Sequence, residues 1–174
     1  LITELFRAFE RLQSERLDAL ALGIDFPAAK EDQYLQLRED LTAQVESVQF
    51  HAAKIEHLVD NLYAFNRRLT ALGGQMLRLA ERHKVKRADF LESYTGRELD
   101  DNWVAEVART DKKWSAFAEN EAEPAERIRL EVSDIATATG MAIPEFRRIV
   151  NMVQKAEREA RIAKKEMVEA NLRL

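Results

Sequence analysis

Apolar residues recur every three or four positions over most of the chain, which is the spacing of one face of an α-helix. The first stretch predicts a helix over about residues 3–22, ending before Gly23, since glycine suits the position just after a helix. A second helix is predicted to begin between Ala28 and Glu31. These stretches predict long helices joined by short turns.

The third predicted helix has the most regular pattern and runs to about His83. Its apolar stripe consists of Ile55, Leu58, Val59, Leu62, Phe65, Leu69, Leu72, Met76 and Leu79. Gly73 and Gly74 fall inside this stripe. Either a kink or close packing against a neighbouring helix would explain two glycines at that place.

The middle of the chain is less periodic and rich in aromatic residues. Residues 90–96 hold a short aromatic segment ending in glycine, and a short helix is predicted over about residues 100–109. The aromatic residues are Phe90, Tyr94, Trp103, Trp114 and Phe117. They could line a binding pocket, but the favoured interpretation is a small satellite core, because short irregular segments need large side chains as anchors.

Two prolines are predicted to open the last two helices. Pro124 suits the first turn of a helix over residues 124–139 that ends at Gly140, and Pro144 opens a helix that runs to the chain end. The inward stripe of this last helix is Phe146, Ile149, Val150, Val153, Ala156, Ala160, Ala163, Met167, Ala170 and Leu174. Its alanines predict close contact with another helix, so replacing Ala160 by Trp is expected to loosen the domain.

Composition supports an all-α fold, a bundle of long antiparallel helices with a short irregular segment anchored by aromatic residues. The 174 residues include only 5 glycines and 3 prolines. No apolar run approaches the roughly 20 residues that a membrane helix needs. The chain starts without Met and stops inside an apolar-periodic stretch at Leu174, so we expect a fragment of a longer protein.

The sequence contains no pattern typical of catalysis, of a cofactor site or of a metal site. Cysteine is absent, and no histidine follows a glutamate by three positions, as a di-iron carboxylate bundle requires. No serine lies in a Gly-x-Ser-x-Gly turn, and no glycine-rich phosphate loop occurs. The prediction is therefore a protein that is not an enzyme and that binds no cofactor or metal.

Charge is unevenly distributed along a chain whose net charge is −4. Such an acidic chain binds DNA poorly by itself, because non-specific DNA binding requires a cationic surface. The acidic run Glu119, Glu121, Glu123 and Glu126 could mimic nucleic acid or bind a cationic partner, but a solvated loop and helix N-terminus is the favoured interpretation. The last helix is rich in Lys and Arg, which fits either a charged partner or ordinary pairing within the helix.

Several segments of the sequence resemble bacterial primary sigma factors, the promoter-recognition subunits of RNA polymerase. Residues 163–174 resemble the opening of conserved region two of that family. A second set of residues resembles the large helical insert that precedes region two in that family: Phe90, Tyr94-Thr95-Gly96, Trp103 and Lys113-Trp114-Ser115. Gly140 and the following Ile143-Pro144-Glu145-Phe146 fit the turn into the last helix.

The resemblance implies two parts, a non-conserved helical insert over residues 1–143 and the start of the core-binding second region over residues 144–174, truncated at Leu174. It implies a cytoplasmic, non-catalytic protein that binds the largest subunit of the polymerase core and directs it to promoters. Promoter DNA would be contacted by parts outside this chain. The insert would serve as a helical platform on which a transcription activator can dock.

The resemblance also implies candidate contact residues. Those of the polymerase-binding helix are Lys164, Lys165, Glu166, Glu169, Asn171 and Arg173. Those of a regulator-docking surface are Asp100, Asp101, Glu106, Glu119 and Glu121. Two alternatives stay open, a generic helical interaction or scaffold module, which the periodicity fits equally well, and a helical-bundle enzyme, which the missing site patterns disfavour.

Overall fold

The chain folds into α-helices joined by short turns. The computed structural model describes residues 2–48 and 50–172, which form seven α-helices and no strand, so the all-α prediction is confirmed. The helices are α1 (Ile2–Ala21), α2 (Ala28–Glu46), α3 (Ala52–Arg82), α4 (Arg87–Tyr94), α5 (Trp103–Val107), α6 (Lys112–Thr139) and α7 (Ile143–Leu172). Across the described residues, every helix is too short or too polar to span a bilayer.

Helices α1 and α2 form an antiparallel hairpin, as the contacts between them show. Arg16 Nε lies 2.9 Å from a carboxylate oxygen of Glu31, and the Phe9 and Tyr34 rings stack with centroids 5.1 Å apart. A residue nearer the start of α1 therefore contacts a residue nearer the end of α2, as in an antiparallel pair. The buried apolar residues of the hairpin are Leu12, Ala19 and Tyr34, which lie outside the main core cluster.

Helices α3 and α6 also run antiparallel and supply most of the main core. Arg68 on α3 pairs with Glu131 on α6, and His83 just beyond α3 contacts Glu121 earlier on α6. The apolar residues that α3 and α6 bury between them include Leu72, Met76, Ile128, Val132 and Ile135. Helix α3 continues through Gly73 and Gly74. A Cβ at Gly73 would meet nothing within 4 Å and one at Gly74 would meet only the Arg78 side chain, so these glycines do not mark a close contact with another helix of the described chain.

The aromatic residues of the middle segment form part of the main core. The Trp103 ring lies 4.9 Å from the Tyr94 ring and 5.8 Å from the rings of both Trp114 and Phe117, measured between centroids. Its indole N–H donates to the carbonyl of Ser93 at 3.0 Å, so the polar atom of this buried side chain is satisfied. The interpretation as core is therefore confirmed, although the cluster is continuous with the main core and is not a satellite.

Two predictions for the middle of the chain are wrong. Pro124 lies inside α6, which begins twelve residues earlier, where the Asp111 carboxylate accepts hydrogen bonds from the N–H groups of Lys113 and Trp114. The helix continues through the proline because its buried face is apolar on both sides, with Phe117 before and Ile128 after. The segment interpreted as irregular contains α4.

The predicted inward stripe of α7 is buried in its first turns and exposed in the rest of the helix. The turn before it contains Gly140 in the left-handed region, with φ of 68° and its N–H donated to the Ala136 carbonyl, so the predicted end of α6 is confirmed. Phe146 and Val150 are buried in the core. From residue 154 to residue 172 every side chain is exposed, so no other helix of the described chain covers the stripe of Ala156, Ala160, Ala163, Met167 and Ala170. The segment is joined to α3 by a hydrogen bond from the Tyr63 hydroxyl to the Glu157 carboxylate, at 2.5 Å. Leu174 lies outside the described residues.

Glu145, on the first turn of α7, joins the hairpin to the rest of the fold. Its carboxylate lies 3.2 Å from Arg16 Nη1 and 2.6 Å from Arg38 Nη1, and its side chain is only 17% exposed. Both guanidinium groups also lie near the face of the buried Tyr34 ring, at 4.9 and 5.9 Å from its centroid. A single carboxylate on α7 therefore holds both helices of the hairpin.

Candidate interaction surfaces

Three of the predicted regulator contacts lie together around two arginines. Asp100 accepts hydrogen bonds from Arg97 Nε and from the N–H of Asn102, at 3.0 and 2.8 Å, and its side chain is 12% exposed. It therefore fixes the turn before α5 and offers little surface. Glu106 pairs with Arg97 at 2.5 Å and is half exposed.

Asp101 lies on the same side of the molecule and is held by the second arginine. Its carboxylate lies 2.5 Å from Arg129 Nη1 on α6, and its side chain is 42% exposed. Arg129 also donates two hydrogen bonds to Glu126, which lower the pKa of that carboxyl below its ordinary value. We define Asp101, Glu106 and Glu126 as the acidic face.

The two acidic residues predicted further along the chain have different environments. Glu119 is exposed on α6 and accepts a hydrogen bond from Ser115 Oγ at 3.0 Å. Glu121 is buried, with its carboxylate 3.3 Å from His83 Nε2 and 3.5 Å from Arg82 Nη1. Glu121 therefore offers a partner little surface, because its side chain packs against the end of α3.

A cavity of about 280 Å³ opens beside Asp100, and sequence reasoning missed it. Its walls come from three separate segments, residues 20–25, 96–100 and 142–144. The apolar part of the lining consists of Leu20, Ile24, Leu99, Ala142, Ile143 and Pro144. No local motif marks such a cavity, because it exists only where the end of α1, the turn before α5 and the start of α7 meet.

Glu98 is the buried carboxylate of this cavity. Its side chain is 3% exposed, and Arg147 Nη1 lies 3.1 Å from its Oε1, an atom for which the described residues supply no hydrogen bond of good geometry. Burial raises the pKa of the Tyr94 hydroxyl well above its usual range, and the neighbouring charge of Glu98 acts in the same direction. The cavity therefore combines apolar walls with a buried carboxylate that pairs with Arg147 but has an oxygen without a hydrogen bond of good geometry.

The predicted polymerase contacts lie on the exposed part of α7. The side chains of Lys164, Lys165, Glu166, Glu169 and Asn171 are all exposed, and Lys165 pairs with Glu169 one turn later at 3.6 Å. Arg173 lies outside the described residues. Within the part of the chain that the structure describes, no group of His, Asp and Glu side chains could hold a metal ion.

One comparison with known protein families gives a match over most of the chain. The family model described as "Sigma-70, non-essential region" matches residues 1–136. The match takes in α1 to α5, the acidic face and nearly all of α6, and it ends before α7 begins.

Proposed function

The chain belongs to the family of sigma-70 non-essential regions, and on that premise we propose that α7 connects this helical insert to the polymerase-binding part of a primary sigma factor. A sigma factor is a non-enzymatic protein of transcription initiation whose partner is the RNA polymerase core. Residues 1–143 are the insert in this proposal, and residues 144–174 begin the core-binding region, which directs the polymerase to promoters.

The exposure pattern of α7 is the observation that carries the proposal. The helix buries Ile143, Phe146 and Val150 in the insert, whereas every side chain from residue 154 to residue 172 is exposed. This segment touches α3 through a hydrogen bond from the Tyr63 hydroxyl to the Glu157 carboxylate, but its apolar stripe stays uncovered by the described residues. In proteins most of the stability of a helix comes from packing of its apolar face, so the uncovered stripe of α7 is expected to pack against a partner. The stripe of Ala156, Ala160 and Ala163 is narrow enough to admit another helix closely.

The charges of the same segment suggest where the polymerase binds. Lys164, Lys165, Glu166, Glu169, Asn171 and Arg173 are the proposed contacts with the largest subunit of the core. Lysines and glutamates both lie on this exposed surface and can pair with a partner helix of complementary charge. Promoter DNA is contacted by other parts of the sigma factor in this proposal, because the net charge of this chain is −4.

Replacing Ala160 by Trp tests the role of α7. Because Ala160 is exposed, we expect the free energy of unfolding of this chain to change by no more than about 0.5 kcal/mol. In the complete sigma factor the same change should weaken binding to the polymerase core about tenfold, since the indole prevents close helix packing. Calorimetry and fluorescence titration with core polymerase measure the two effects.

The matched control is Ala138→Trp, which puts the same side chain on an exposed position of α6. That variant should bind the core with unchanged affinity. Equal affinity of both variants and of the wild-type protein would refute the proposed role of α7, and a lower melting temperature for Ala160→Trp would show that its alanine stripe packs within this chain.

We also propose that the acidic face and the adjoining cavity form the site at which a transcription activator docks. Asp101 and Glu106 are exposed beside a cavity with apolar walls and a buried Glu98. A partner segment with an apolar side chain next to a Lys or Arg would fill the cavity and pair with the face. Glu119 lies on the same helix as Glu126 and extends the negative surface.

A short peptide of alternating leucine and arginine residues is a direct probe of this surface. Glu106→Lys should weaken its binding about fivefold, because a rim carboxylate contributes modestly to an interface. Glu123→Lys, an equal charge change on an exposed part of α6, should have a smaller effect. Identical effects of the two variants in fluorescence anisotropy would show that only net charge matters.

A further inference from the structure

A groove between α3 and α6 has an apolar floor and an arginine-rich rim. It encloses about 420 Å³ and is lined on α3 by Gln75, Arg78, Leu79 and Arg82 and on α6 by Pro124, Arg127, Ile128 and Glu131. Leu79 and Ile128 form the floor, with 8% and 6% of their surface exposed. Its lining includes no described residue of α7 and none of the acidic face.

The rim arginines are incompletely neutralised by the chain itself. Arg78 and Arg127 have no carboxylate within ion-pair distance among the described residues, and both are exposed. Arg82 lies 3.5 Å from Glu121, with 66% of its side chain exposed, while Glu131 is occupied by Arg68 at 3.1 Å. A chain of net charge −4 therefore keeps two unpaired guanidinium groups on opposite walls of one groove.

We propose that this groove binds an acidic, amphipathic segment of a protein partner, an interaction beyond the proposed docking of polymerase and activator. Carboxylates of the segment pair with Arg78, Arg82 and Arg127, since guanidinium groups bind carboxylates through two parallel hydrogen bonds. An apolar side chain of the segment covers Leu79 and Ile128. Arginines on both walls select a segment with carboxylates on both of its edges.

The groove fits an acidic peptide better than a nucleic acid. Binding to a phosphate backbone requires a broad cationic surface, whereas the carboxylates of Glu121 and Glu131 lie beside these arginines. A peptide can place apolar groups over the floor and keep its carboxylates away from Glu131. A regular array of phosphates can do neither.

Fluorescence anisotropy with a labelled peptide of alternating glutamate and leucine pairs tests the proposal on the whole chain. The double variant Arg78→Glu/Arg127→Glu should weaken binding about tenfold or more, because two ion pairs become repulsive. The control Arg109→Glu/Arg158→Glu changes the net charge equally at exposed positions outside the groove and should weaken binding less than about twofold. Circular dichroism verifies that both variants keep the helical fold.

Two further probes separate this site from a general polyanion surface. A peptide with serines in place of the leucines should bind about tenfold more weakly, because the apolar floor is then left uncovered. A short DNA duplex at equal charge concentration should displace the labelled peptide poorly. Equal losses in the two double variants, unchanged binding of the serine peptide, or efficient displacement by the duplex would each overturn the proposal.

Discussion

Replacing Trp103 by Ala should lower the free energy of unfolding by about 3–5 kcal/mol, the largest loss expected from any single substitution discussed for this chain. Trp103 is 2% exposed, and its ring contacts those of Phe90, Tyr94, Trp114 and Phe117. The substitution opens a cavity between α4, α5 and α6, and it also leaves the Ser93 carbonyl without its indole donor.

The loss should appear as a fall of about 10 °C in the melting temperature, measured by circular dichroism. The conservative variant Trp103→Phe should lose less, because it retains a ring in the same space. Leu91→Ala is the matched control, since Leu91 lies on the neighbouring α4 and is 45% exposed. A Trp103→Ala variant that melts like the control would show that the aromatic cluster contributes little to the stability of the core.

The second large effect is expected from Glu145→Lys, which should release the α1–α2 hairpin. The new ammonium group would lie between Arg16 and Arg38, which the wild-type carboxylate holds at 3.2 and 2.6 Å. Removing one partner from a buried ion-pair group costs about 3–5 kcal/mol, and the partial exposure of Glu145 places the expected loss near the lower end. The hairpin is vulnerable because its own buried residues lie outside the main core cluster.

Hydrogen–deuterium exchange distinguishes release of the hairpin from general unfolding. Amide protons of α1 and α2 should exchange much faster in Glu145→Lys, while those of α3 and α6 keep their protection. Glu159→Lys, an equal charge change on the exposed part of α7, should leave exchange unchanged. Faster exchange in all helices at once would show that the hairpin and the core unfold as one unit.

The sequence predicts the long helices well because the apolar spacing and the residues that end a helix indicate the same helix bounds. The end of α1 before Gly23 and the end of α6 at Gly140 follow from local chemistry alone. The start predicted for α6 at Pro124 was wrong. The sequence alone does not distinguish a proline tolerated inside a packed helix from a proline in the first turn of a helix. The exposed end of α7 was also beyond prediction, because an alanine stripe indicates a close partner without showing in which chain it lies.

The candidate surfaces were predictable only where their residues are neighbours in sequence. Asp100, Asp101 and Glu106 lie within one turn and one short helix, and they do come together. The burial of Glu121 could have been predicted from its spacing, since it lies four residues after Phe117 and four before Ala125 on the buried face of α6. The prediction failed because the helix was expected to begin only at Pro124. No sequence pattern indicates the cavity beside Glu98, because its lining comes from three segments that are distant in the sequence.

The continuity of α7 makes the insert a lever. Its first turns are fixed in the core and its last nineteen described residues extend as one helix, about 28 Å at the ordinary rise per residue. A tilt of about 10° at the buried end would move the far end by about 5 Å, roughly the diameter of a side chain. A small rotation of the insert caused by a bound partner would therefore produce a larger displacement at the far end of α7.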